Sequence, residues 1–140
     1  MNDAAAIRVV AERYFYAVDT RRLDVLASCF APDAVMTIHD GERTMTGRDA
    51  IVDGFRHLPF TGSTHVLTSQ DVTVEGDDAS AHTLAVAFVA GDGTVHTRGV
   101  EYRDELVRTP VGWQIRRRDH VARWQFDAAS VPPAVPGTNP

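Results

Sequence analysis

Residues 80–90 alternate strictly in side-chain size. On an extended chain His82, Leu84, Val86 and Phe88 point one way, and Ala81, Thr83, Ala85 and Ala87 the other. One face of this strand therefore carries only alanine and threonine. Such a face either accepts a helix at close range or leaves room for a cavity. The flanking segments also read as strands. Residues 64–75 precede it across Gly76-Asp77-Asp78, residues 94–108 follow Gly91-Asp92-Gly93, and residues 113–124 follow a turn at 110–112. A meander of long antiparallel strands needs an apolar layer to cover one side.

The first third of the chain supplies that layer. Residues 3–18 read as a helix capped by Asp3, with Ile7, Val10, Tyr14 and Val18 at helical spacing and Ala11 and Phe15 widening the stripe. Arg8 and Glu12 form an i,i+4 pair on the other side. Residues 22–30 read as a second helix that packs through Leu23, Leu26 and Phe30 and ends at Pro32-Asp33. A short strand at 34–39, a turn at Asp40-Gly41 and a returning strand at 42–46 lead to a third helix over 47–58, stopped by Pro59. Helices followed by a strand meander define an α+β fold, a strongly curved mixed or antiparallel sheet closed on one face by N-terminal helices. A sheet bent in this way encloses a cone suited to a small molecule.

Composition narrows the functional classes. A chain of 140 residues with 44% hydrophobic content supports one core, not two. Residues 1–126 form that domain, and the tail 127–140 is expected to be irregular, since it holds four of the seven prolines. A net charge of −5 gives no reason to expect nucleic acid. No apolar run reaches the roughly 20 residues a membrane span requires, and no basic-then-apolar leader opens the sequence. The single cysteine, Cys29, excludes an intrachain disulfide and suits a reducing cytoplasm. The six histidines lack the spacing of a metal site. No glycine-rich phosphate loop and no G-x-S-x-G is present.

Two residues stand out chemically. Asp19 is a lone carboxylate at the end of an apolar helix, and His65 opens the first long strand. A carboxylate that holds one ring nitrogen of a histidine leaves the other free to act as a base. By residue type alone the plainer reading is favoured, in which His65 starts a strand and Asp19 caps the second helix. Helical projection puts Asp19 at the margin of the apolar stripe, so it does not turn the side chain inward. Arg116-Arg117-Arg118 reads as a solvated face with one inward arginine. Strict strand parity sets Arg118 opposite Trp113 and Ile115. Tyr102 and Trp124 read as core or rim, and His82 or His120 as candidate cavity residues.

Several motifs in order resemble one family. Tyr14-x4-Asp19-x-Arg21, Leu26 and Phe30-Ala31-Pro32-Asp33-Ala34 resemble the opening of the SnoaL-like branch of the nuclear transport factor 2-like superfamily. Gly47-Arg48-Asp49-Ala50-Ile51 resembles its third-helix start. Ser63-Thr64-His65 with Val72-x-Val74-x-Gly76-Asp77-x-Ala79 resembles its first long strand and turn. Tyr102-x-Asp104 and Gly112-Trp113-x-Ile115-x-x-Arg118 resemble its last two strands. The nearest pattern is similar to the lyases hexachlorocyclohexane dehydrochlorinase, scytalone dehydratase and bile-acid dehydratase.

The resemblance implies an Asp19–His65 catalytic dyad without cofactor or metal. It also implies a Tyr14 hydroxyl and an Arg118 guanidinium as helpers. The dehydrochlorinase carries a lysine in place of Tyr14, so its substrate does not transfer. The first reading is a dehydratase-like lyase acting on a small apolar or polycyclic substrate. The second is an isomerase or polyketide cyclase using the same dyad. The third is a non-catalytic ligand-binding or assembly domain of the dioxygenase small-subunit kind. Phe15, Phe55, Phe88, Tyr102, His120 and Trp124 are the expected substrate contacts. Relatives form homodimers or homotrimers through the outer sheet face, so an oligomer is expected.

Overall fold

The computed structural model describes residues 1–39 and 41–132. Its elements are helices α1 (Asp3–Thr20) and α2 (Leu23–Ser28), strands β1 (Phe30–Ile38) and β2 (Arg43–Thr46), helix α3 (Arg48–Gly54), and strands β3 (Gly62–Glu75), β4 (Asp78–Gly91), β5 (Thr94–Thr109) and β6 (Gly112–Ala129). The strands form one six-stranded sheet in the order β2-β1-β6-β5-β4-β3. Only β1 and β6 pair in parallel, so the sheet is mixed. The sheet is curved and does not close on itself, and the helices lie on one side of it, giving the expected α+β class. No helix among the described residues is long and apolar enough to cross a membrane.

The small-residue face of β4 is covered. Ala79, Ala81, Thr83, Ala85 and Ala87 are buried, whereas His82 and Phe88 on the alternate face are exposed. Helix α1 contributes to the layer that covers this small-residue face. Its Ile7, Tyr14, Phe15 and Val18 join Ala81, Ala85, Val100, Tyr102 and Leu106 in a single core.

Several boundaries differ from expectation, each for a local reason. Asn2, not Asp3, caps α1, and its Oδ1 accepts the Ala5 amide at 2.8 Å. Asp3 is taken instead by Arg108, through two contacts of 3.0 Å, and by the Trp113 indole at 3.1 Å. Helix α2 stops at Ser28 because Phe30 already pairs with Ile115 of β6. Pro32-Asp33 lies inside β1, where the ladder to β6 is interrupted between Phe30 and Val35, so a missing amide costs no sheet bond. Helix α3 ends at Gly54, short of Pro59. Strand β6 continues to Ala129, and the Ser130 amide bonds to Gly93, so regular structure extends past Phe126. Asp40 of the expected turn and residues 133–140 of the tail lie outside the described residues.

Strand parity in β6 is broken twice. The β5–β6 register shifts between Glu105 and Leu106 and again between Gly99 and Val100. Each shift inserts one extra β6 residue, Arg116 and then Arg123, and each reverses which face the following residues take. Ile115 therefore faces the core, and so do Arg118 and His120 beyond the first bulge. The second bulge turns Trp124 to the outer face.

Arg118 is thus brought into the centre of the fold. It is fully buried and opposes Asp104 directly in the ladder. Its Nε and Nη2 donate to the two Asp104 oxygens at 2.7 Å each. Its guanidinium carbon lies 4.3 Å from the Tyr14 ring centre and 4.5 Å from that of Tyr102. Two π faces and a bidentate carboxylate replace most of the water it has lost. Burial works against the charge, but the Asp104 carboxylate and its hydrogen bonds outweigh it and raise the Arg118 pKa. Replacing Arg118 with Met should therefore cost about 3–5 kcal/mol in urea unfolding, because Asp104 is left buried and alone. The double variant Arg118→Met/Asp104→Leu should recover much of that loss. Equal destabilisation of the single and double variants would contradict this assignment.

Candidate active site

The last turn of α1 ends in a left-handed cap. Arg21 has φ 57°, its amide bonds to Val18, and the Arg22 amide bonds to Ala17 at 2.9 Å. The Arg21 side chain then crosses to the segment after α3, bonding the Phe60 carbonyl and lying over the Phe60 ring at 5.2 Å. This cap holds Asp19 in the final turn and aims it at the start of β3.

Asp19 meets His65 twice. Its Oδ1 lies 2.7 Å from His65 Nδ1, and its Oδ2 accepts the His65 amide, also at 2.7 Å. The Ser63 hydroxyl donates to Oδ1 at 2.8 Å. A carboxylate only accepts, so Nδ1 carries a proton, and in the neutral form of the ring Nε2 presents a lone pair. Phe15 stacks on the imidazole, with ring centres 5.3 Å apart and planes 9° from parallel, and so holds its orientation. Burial raises the Asp19 pKa, but hydrogen bonds from the His65 ring, Ser63 and the His65 amide together bring it below the usual carboxylate value.

A cavity of about 160 Å³ opens beside the pair. Its apolar lining includes Val18, Met36, Ile38, Phe55, Leu58 and Phe60, and its polar lining is His65, Tyr14, Tyr102, His120, His39 and Arg98. Tyr14 is enclosed by the rings of Phe15, Phe30, Phe55 and Tyr102 at 5.8–6.0 Å. Burial pushes its pKa up to about 12, so it stays a hydroxyl donor. His120 is driven down to about 3, first by burial and then by the charge of Arg98, and is neutral at ordinary pH. Among the described residues no group of His, Cys, Asp and Glu could hold a metal ion.

The expected site residues divide into two sets. Asp19, His65, Tyr14, Phe55, Tyr102 and His120 converge on the cavity, with Asp19 reaching it through His65. Phe15 backs the imidazole without lining the cavity. Arg118 lies behind Tyr14 and Tyr102 and is spent on Asp104, so it supports the wall and does not face a ligand. Two expectations are corrected. Phe88 lies on the outer face, 40% exposed. Trp124 is 49% exposed, packs flat on Gly99 and stacks with Phe126 at 6.3 Å. Arg98 was missed, though it shares β5 parity with Val100, Tyr102 and Asp104. A charged residue in phase with a buried stripe was the available signal.

The SnoaL-like domain family model matches residues 1–119. The chain belongs to the SnoaL-like family, within the nuclear transport factor 2-like superfamily. The uncharacterised Mycobacterium tuberculosis protein Rv2910c is 31% identical over 127 residues, covering 84% of each chain. A Novosphingobium aromaticivorans structure described as a candidate aromatic ring hydroxylase is 28% identical, covers 91% of this chain and 93% of its own, and has a TM-score of 0.81. The hexachlorocyclohexane dehydrochlorinase LinA type 2 is 20% identical, covers 96% and 95%, and has a TM-score of 0.83. The fold is thus shared with a hexachlorocyclohexane dehydrochlorinase.

The Asp19 contacts make a signed prediction. A carboxylate whose pKa falls on folding stabilises the fold above its unfolded value, near 3.8, and loses that contribution as pH drops from there through the folded value. The stability gap between the wild type and Asp19→Asn should therefore narrow between about pH 5 and pH 3. Urea unfolding at both values checks it, and a gap that widens on acidification would contradict the assignment.

Proposed function

We propose that this protein is a cofactor-independent lyase of the dehydratase-like kind, in which His65 Nε2 removes a proton from carbon. The observation that carries this reading is the 2.7 Å contact between Asp19 and His65 Nδ1 at the edge of an apolar cavity. Asp19 orients the ring and offsets the charge of the imidazolium once the proton has moved. Tyr14 donates a hydrogen bond to the oxygen that gains charge or departs. The apolar walls keep water from weakening these interactions.

The cavity volume limits the substrate. About 160 Å³ is close to the space that one benzene-sized ring fills. A single-ring substrate is therefore proposed, and a polycyclic one would extend beyond the mouth.

The oligomer is also proposed to form through the outer sheet face. Val66, Val86, Gly99 and Trp124 are in register across β3 to β6, and Phe88, Thr97 and Phe126 form the next row. Val66, Phe88, Trp124 and Phe126 on this face are exposed. A cytoplasmic location is part of the same proposal, on the strength of the buried free thiol of Cys29.

Proton abstraction can be read without knowing the product. Small cyclic ketones and hydroxy acids incubated with the protein in D2O should take up deuterium at the acidic carbon, followed by mass spectrometry. Asp19→Asn and His65→Ala should each slow uptake by about 10²–10⁴-fold while remaining folded by circular dichroism. Undiminished exchange in either variant would remove His65 as the base. For the assembly, light scattering should show a dimer or trimer that Trp124→Glu/Phe126→Glu converts to monomer.

A further inference from the structure

Among the described residues, the cavity contains a cation that no carboxylate answers. Arg98 lines it from β5, half-buried, and its Nε is buried with no hydrogen-bond partner. Among the described residues its side chain makes no ion pair. Arg118, the other inward guanidinium, differs in having its charge answered: Nε and Nη2 both donate to Asp104, and only Nη1 is unpartnered. A charge withdrawn from water with nothing opposite it destabilises the empty protein, and a bound counter-charge removes that penalty.

The sheet sets Arg98 in a definite relation to the base. Ala87 of β4 pairs with His65 on one side and with Arg98 on the other. The three residues form one row across three strands and all line the cavity. With strands about 4.8 Å apart, the His65 and Arg98 backbones are about 10 Å apart. Between them is a single methyl group, which leaves the floor open. His120 lies on the same side as Arg98, which contributes to its lowered pKa, and His120 Nδ1 is likewise buried and unpartnered. A neutral imidazole there adds hydrogen-bonding capacity without adding charge.

We propose that Arg98, with His120 beside it, is an anion subsite, and that the substrate is a small monocyclic carboxylate whose acid group sits on Arg98 and whose ring lies over Ala87 toward His65. The planar guanidinium fork matches the two oxygens of a carboxylate. The single ring follows from the cavity volume. Only the direction of the ring rests on the proposed role of His65; anion binding does not depend on it.

The test compares benzoate with benzamide, which have the same shape and differ in charge, by calorimetric titration of the full-length protein. Benzoate should bind at least about tenfold more tightly. Arg98→Gln should reduce that preference to near unity, and Arg98→Lys should keep part of it. His65→Ala should leave the preference intact while slowing deuterium exchange by about 10²–10⁴-fold, so the subsite and the base are judged separately. A wild type that binds the two probes alike, or an Arg98→Gln variant that keeps the preference, would overturn the proposal.

Discussion

The architecture depends on one guanidinium placed where a hydrophobic residue would be expected. Arg118 joins β5 to β6 through Asp104 and joins the sheet to α1 through the Tyr14 ring. Such a pair is not a cheap source of stability, since both charges lose their water. What it contributes is direction. A bidentate bond has one good geometry, and two aromatic faces packed on the guanidinium must follow it. Tyr14 and Tyr102 are therefore set by an interaction outside the cavity they line.

The Asp19–His65 pair has the opposite character. A carboxylate in the last turn of a helix faces the negative end of the macrodipole, a place where cations are favoured. Asp19 tolerates this because Ser63, the His65 amide and the His65 ring all donate to it. These donors come from a single strand start, so the arrangement needs α1 and β3 in one relative position. The cavity then runs from an anion held behind the imidazole to the cation of Arg98. A ligand entering it meets a gradient of charge between apolar walls.

Much of the fold was legible in the sequence because alternation over 80–90 and helical spacing over 3–18 are each repeated many times. A single misplaced residue cannot erase such a signal. The meeting of Asp19 and His65 was not legible from the residues, since projection left Asp19 at the margin of its helix; it entered through the family resemblance. The missed features are single events. Strict alternation along β6 cannot anticipate an inserted residue, so Arg118 seemed out of phase; the second insertion restores the original phase, which leaves Trp124 on the outer face. Phe88 was misjudged because its face of β4 carries the larger apolar side chains, yet the face turned to the core is the one with alanines and Thr83. Arg98 is in phase with the buried Val100, Tyr102 and Asp104 of β5, but only the three-strand row through Ala87 ties it to His65.

The paired bulges behave like compensating frameshifts. Arg116 moves the face assignment of β6 out of step, Arg123 restores it, and the residues between them, including Arg118 and His120, occupy the shifted window. Point substitutions in this window change one side chain at a time. Loss of either extra residue would invert a whole run, exposing the core arginine or driving an indole inward. Descendants of this chain should therefore vary in letters here, Arg118 apart, and hardly at all in length.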